Sequence, residues 1–212
     1  MDFWSVVNML KQGIKQPLPG EKAQRGMSPK PVDSRKFSSD IPTTHRKGSV
    51  LILFYPNEDK AFFPLIKRPE YLGIHSGQIA FPGGKMEEED QDEIETALRE
   101  AWEEVAILPE QVKLIGKLSN LFIPASNFLV SPILGYSESK PDFVPEEREV
   151  ARIIETSVSS FYDPQIRKRK NLLISENFSL DTPYFDVDKE MVWGATAMIL
   201  NELLELLENG KK

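Results

Sequence analysis

The sequence predicts an α+β fold built around a mixed β-sheet. Three observations lead there. An apolar hairpin pattern lies near 50–67, an amphipathic helix pattern follows at 91–106, and a Leu-rich helix closes the chain. Strands and helices alternate without the strict order of repeated βαβ units. The chain has 212 residues, with 26 Lys and Arg against 33 Asp and Glu, a net charge of −7. That acid excess argues against nucleic acid as a partner, because phosphate-binding faces are basic. An anionic small substrate remains compatible if a metal ion supplies positive charge. Cysteine is absent, which excludes disulfides, thiolate nucleophiles and thiolate zinc sites. No apolar run approaches the ~20 residues that span a bilayer, and Met1 to Ile14 lacks a signal-peptide core. A cytoplasmic protein with no membrane partner is the expectation.

Taken in order, Phe3, Val6, Val7, Leu10 and Ile14 fall on one helical face and predict a short helix docked on the main body. Residues 16–47, with five prolines and no periodicity, read as an extended tether. Domain organisation follows: an N-terminal helix and Pro-rich tether over 1–47, and a main globular domain over 48–212. Val50 to Tyr55 and Ala61 to Lys67 form a hairpin around the turn-like 56–60 segment. Gln78 to Phe81 is a third strand, ended by Pro82-Gly83-Gly84. Over 91–106, Ile94, Leu98, Ala101, Trp102 and Val105 predict a helix lying on a sheet. Further strands are expected at 112–118, 128–136, 150–155, 171–175 and 183–187. Ala195 to Leu207 is the closing helix, with Gly210 as its stop. Its apolar face and that of the N-terminal helix serve either a homodimer interface or burial within one subunit.

Chemistry concentrates between Gly83 and Ile107. At about 100° per residue, Glu100, Glu103 and Glu104 share one sector, with Leu98, Ala101, Trp102 and Val105 directed to the core. Three neighbouring carboxylates repel one another, and divalent cations between them relieve that repulsion. Oxygen donors select Mg²⁺ or Mn²⁺ over softer metals. Arg99 stands four residues before Glu103 and can hold it by a charge-assisted bond. Asp90 with Glu93 reads as a capping box, or Asp90 supports the metal site. The Gly83-Gly84 turn lets backbone groups approach a ligand closely.

Gly84, five residues, Asp90, eight residues, and then Arg99-Glu100-Ala101-Trp102-Glu103-Glu104-Val105-Ala106-Ile107 resemble a Nudix box. The usual acid before the helix is Glu with one residue less of spacing, and the usual Gly stands where this chain has Ala106. Leu65-Ile66-Lys67-Arg68, Leu72, His75, Gly77-Gln78 and Phe81 to Gly84 are similar to the additional motif of coenzyme A pyrophosphatases, in which Asp at the longer spacing is common. Glu149-Val150-Ala151 and Val192 to Ala197 resemble later segments of that subfamily.

The resemblance implies an α/β/α sandwich with a central mixed sheet, and metal-dependent hydrolysis of a nucleoside diphosphate derivative. It makes Glu100 and Glu104 metal ligands, and Glu103 a third ligand or a contributor to water activation. The Gly83 carbonyl becomes a further ligand, Arg99 an orienting residue, and Glu149 a base or outer ligand. Arg68, His75 and Gly84 become substrate contacts, although His75 could equally cap a turn. Coenzyme A is the implied substrate. ADP-ribose, NADH or a nucleoside triphosphate are alternatives, and a catalytically silent nucleotide sensor is the reading from another class. Arg167 to Lys170 reads as a solvated hairpin tip or a second phosphate contact. Phe122, Phe128 and Trp193 read as core or base-stacking residues.

Overall fold

The computed structural model describes every residue except 39, 71–74, 176–177 and 212; Leu72 of the upstream motif therefore lies outside the described residues. The chain starts with helix α1 (Phe3–Gly13), capped by Asp2, whose carboxylate accepts from the Ser5 N–H at 2.9 Å. Residues expected to be extended instead include helix α2 (Gly20–Gly26). Its start is fixed by a distant residue: Glu202, fully buried, accepts from the Gly20 N–H and from Gln24. Sequence periodicity over seven residues carries no trace of such a tertiary clasp.

The hairpin forms as predicted from β1 (Arg46–Asn57) and β2 (Lys60–Lys67). Then come β3 (Ile79–Ala80), the short β4 (Gly83–Lys85) and helix α3 (Glu93–Val105). Strands β5 (Lys113–Lys117), β6 (Leu121–Ile123), β7 (Phe128–Tyr136) and β8 (Arg152–Ser157) complete the main sheet. A separate antiparallel sheet holds β9 (Arg167–Ser175), β10 (Phe178–Val187) and β11 (Glu190–Trp193), which leads into helix α4 (Gly194–Asn209). In the main sheet β1 runs parallel to β7 and antiparallel to β2 and β4, so the sheet is mixed.

The unbroken apolar run of β1 reflects burial on both faces. Leu51 and Leu53 point into a core shared with Ala97, Ala101 and Val105 of α3. Ile52 and Phe54, alternating with them, point into the opposite core with Val6 and Leu10 of α1 and Leu200, Leu203 and Leu207 of α4. The result is a sheet between helical layers. The apolar faces of α1 and α4 are thus buried within one subunit. No helix among the described residues is long and apolar enough to cross a membrane.

Two further expectations change. The Arg167–Lys170 run opens strand β9 and is not a hairpin tip; Lys168 pairs with Asp186 and Arg169 with Asp181 across to β10. Trp102 is 53% exposed. Ala97, Ala101 and Val105 define the buried line of α3, and the position next to Ala101 turns about 100° away from it.

Candidate active site

The acidic face of α3 is organised by one guanidinium. Arg99 Nε and Nη2 donate to the two oxygens of Asp90 at 2.9 and 2.8 Å. Its Nη1 donates to Glu100 at 3.1 Å and to Glu103 at 3.0 Å, and Nη2 also reaches the Lys85 carbonyl at 3.0 Å. Arg99 therefore ties three carboxylates and strand β4 together. Asp90 is only 7% exposed and also accepts from the Thr96 hydroxyl and the Glu87 N–H. The Arg99 guanidinium, aided by these donors, holds its carboxyl well below the usual range.

Asp90 is not the helix cap. Asp92 caps α3, accepting from the N–H groups of Ile94 and Glu95, while Glu95 reaches back to the Gln91 N–H. The Asp92/Glu95 pair repeats the spacing that singled out Asp90/Glu93, two residues later, and this releases Asp90 to serve Arg99.

Glu104 occupies a different environment. It is 1% exposed, and its Oε2 accepts the Gly83 N–H at 2.8 Å. Arg68 lies 3.8 Å from its other oxygen and donates to the Gly83 carbonyl at 3.2 Å. Burial pushes the Glu104 carboxyl up to about 7; Arg68 and the Gly83 N–H oppose the shift, and the charges of Glu100 and Glu149 add to it. Glu100 is raised too, mainly by burial and against the pull of Arg99.

Gly83 is sterically required, and a side chain on Gly84 would displace the Glu100 carboxylate. A side chain on Gly84 would put its first carbon 2.3 Å from Glu100 Oε2. On Gly83 (φ 149°) it would lie 2.2 Å from the Ser49 carbonyl.

Glu149, distant in sequence, arrives through the end of α3. The last-turn carbonyls of a helix lack intrahelical partners. Here the Glu146 N–H bonds the Glu104 carbonyl at 2.9 Å and the Val144 N–H bonds that of Val105 at 3.3 Å. The loop is pinned on its other side by the Ala151 N–H on the Lys67 carbonyl at 2.8 Å. Glu149 is thereby close enough for its charge to act on both Glu100 and Glu104. His75 is engaged in its own turn, with Nδ1 3.1 Å from Gln78 Oε1, which matches the turn-capping alternative. Phe122 is buried, and Phe128 packs under the Arg46 guanidinium at 4.2 Å.

The NUDIX domain model matches residues 45–162, more than half the chain, and takes in β1, the Gly83-Gly84 turn, α3 and the Glu149 loop. The chain belongs to the Nudix hydrolase family. NudL, a Nudix hydrolase of Yersinia pestis, is 32% identical over 183 residues, which cover 84% of this chain and 87% of the relative. In fold, the chain is similar to a MutT protein from Methanosarcina mazei (TM-score 0.51, 16% identity, 82% of this chain and 99% of that one). It is likewise similar to the Nudix hydrolase RenU from M. smegmatis (TM-score 0.52, 14% identity, 77% and 84%). As a Nudix hydrolase it acts on the pyrophosphate bond of nucleoside diphosphate derivatives, with a divalent metal ion.

The Nudix acids offer only hard oxygen donors, the set that suits such an ion. In this structure Arg99 holds Glu100 and Glu103, and the Gly83 N–H holds Glu104. The Nudix departure at Ala106 is a matter of helix exit. Ala106 takes the left-handed conformation (φ 57°), and its N–H bonds the Trp102 carbonyl at 2.9 Å, the role for which Gly is ordinarily used.

Proposed function

We propose that this Nudix hydrolase cleaves the diphosphate of coenzyme A or its derivatives, yielding 3′,5′-ADP and 4′-phosphopantetheine. One observation supports this substrate above the others. The upstream motif that resembles coenzyme A pyrophosphatases and the acids of α3 meet at Gly83, whose carbonyl accepts from Arg68 and whose N–H donates to Glu104. A substrate contact at Arg68 is thus two bonds away from the most buried acid of the helix.

Glu100, Glu104 and Glu103, with the Gly83 carbonyl, would hold Mg²⁺ or Mn²⁺. When bound, such an ion neutralises diphosphate charge and acidifies water. The chain's own residues do the rest. Arg99 fixes the orientation of Glu100 and Glu103. Arg68, which has N–H donors beyond the one given to Gly83, binds a phosphate oxygen. Gly84, lacking a side chain, lets the diphosphate lie against β4. The proton of the attacking water passes to Glu149 or Glu103, two of the exposed acids that border the same cleft. Attack on one phosphorus then splits the anhydride.

The test is a product assay with Mg²⁺ or Mn²⁺, read by mass, on coenzyme A, ADP-ribose, NADH and a nucleoside triphosphate, each alone. Phosphopantetheine release with the highest kcat/KM of the set is expected. Preferential cleavage of ADP-ribose or NADH overturns the substrate, and no cleavage of any member revives the silent sensor.

A further inference from the structure

Beside the acids of α3 lies an open cleft of about 520 Å³, within the size range of small-molecule sites (roughly 300–1,000 Å³). One wall is apolar: Trp102, 53% exposed, with Val144, 62% exposed, and Pro145. The other carries the carboxylates of Glu103, Glu146 and Glu149, and no cationic side chain lines the cleft among the described residues. Trp102 and Val144 are exposed apolar side chains that line one concave surface, the setting in which apolar walls serve ligand binding. Trp102 and Val144 also come from separate segments that are held together by backbone bonds. The Val144 and Glu146 N–H groups bind the end of α3, so the two segments are fixed relative to each other.

We infer that this cleft receives the uncharged pantetheine arm of the substrate, with Trp102 as its apolar floor. The inference rests on the coenzyme A reading and adds which half of the molecule lies where. Charge decides between the halves. The adenosine end of coenzyme A carries a 3′-phosphate, of about −1.5 to −2 charge at pH 7, which the carboxylates of Glu146 and Glu149 would repel; Glu103, the third acid of that wall, is paired with Arg99. Beyond its own phosphate the pantetheine arm is neutral. Its gem-dimethyl group suits Trp102 and Val144, and its two amide N–H groups and hydroxyl are donors that Glu146 and Glu149 can accept. The adenosine half then extends from the opposite end of the diphosphate, toward Arg68. Trp102 is the specificity residue of this arrangement, placed one residue before Glu103 and reading the substrate alongside the chemistry.

The test combines binding and kinetics. Tryptophan emission of the wild type and of Trp102→Phe is titrated with pantetheine and, separately, with 3′,5′-ADP, without turnover. Pantetheine should shift wild-type emission saturably, and Trp102→Phe should lose that shift. For Trp102→Ala, which truncates a half-exposed side chain and leaves the core of α3 intact, KM for coenzyme A should rise about tenfold with kcat changed less than twofold. A Trp102 emission response to 3′,5′-ADP but not to pantetheine overturns the assignment. So does an equal loss in kcat and kcat/KM. If the wild type does not cleave coenzyme A, the substrate reading fails, and the pantetheine titration still decides what the cleft binds.

Discussion

Removing Arg99 should cost more stability than any other single change on the acidic face. The side chain is 25% exposed and Asp90 side-chain exposure is 3%, and the two share a bidentate pair at 2.8 and 2.9 Å. At an effective dielectric near 20, charges about 4 Å apart attract by about 4 kcal/mol, and desolvation returns part of that. A coupling of about 2–3 kcal/mol is expected. Arg99→Met also leaves Asp90 buried without its cation, so its own loss should reach about 3 kcal/mol, a fall in Tm of roughly 6–12 °C for a chain of this size. The assay is urea unfolding of wild type, Arg99→Met, Asp90→Asn and the double variant at pH 7 in chelator. Asp90 is depressed in the fold, so its contribution is full above the ordinary carboxylate pKa and declines as pH falls through the depressed value. The wild-type advantage over Asp90→Asn should therefore shrink below about pH 4. Coupling under 0.5 kcal/mol at pH 7, or an advantage that grows on acidification, refutes Arg99 as the hub.

Glu104 should show the opposite pH sign. Its carboxyl is raised to about 7, so its contribution to stability without metal is intact below the ordinary glutamate value and lost as pH rises through 7. Glu104→Gln should gain on the wild type by about 3 kcal/mol between pH 4.5 and 8 in chelator, measured by urea unfolding; parallel profiles contradict this. At the end of α3, Ala106→Gly relieves a left-handed alanine and should stabilise by about 0.5–1 kcal/mol, seen as a Tm rise of roughly 1–4 °C.

Local pattern carried much of the architecture. The β1–β2 hairpin, α3 and α4 were visible because period 2 or 3.6 survives wherever an element buries a consistent face. Elements set by tertiary partners were not. Helix α2 depends on Glu202, and β6 and β11 are short strands without alternation long enough to read. In the site, the residue types and spacing of Arg99, Glu100, Glu103 and Glu104 were legible, but their environments were not. A helical wheel places Glu104 beside Glu103 on one acidic face. Only the approach of β4 and Gly83 makes the first buried while the second stays exposed. The same wheel sent Trp102 inward, since it counts apolar residues and not the width of the contact. Asp92 and Asp90 offer the same capping pattern, and the choice depended on where Arg99 reached.

Substrate preference is decided by competition. An equimolar mixture of coenzyme A, ADP-ribose, NADH and a nucleoside triphosphate is given to the wild-type enzyme with Mg²⁺ or Mn²⁺, and initial products are read by mass. 3′,5′-ADP and 4′-phosphopantetheine should accumulate first and in equal amounts. Consumption of another member while coenzyme A stays intact contradicts the coenzyme A reading.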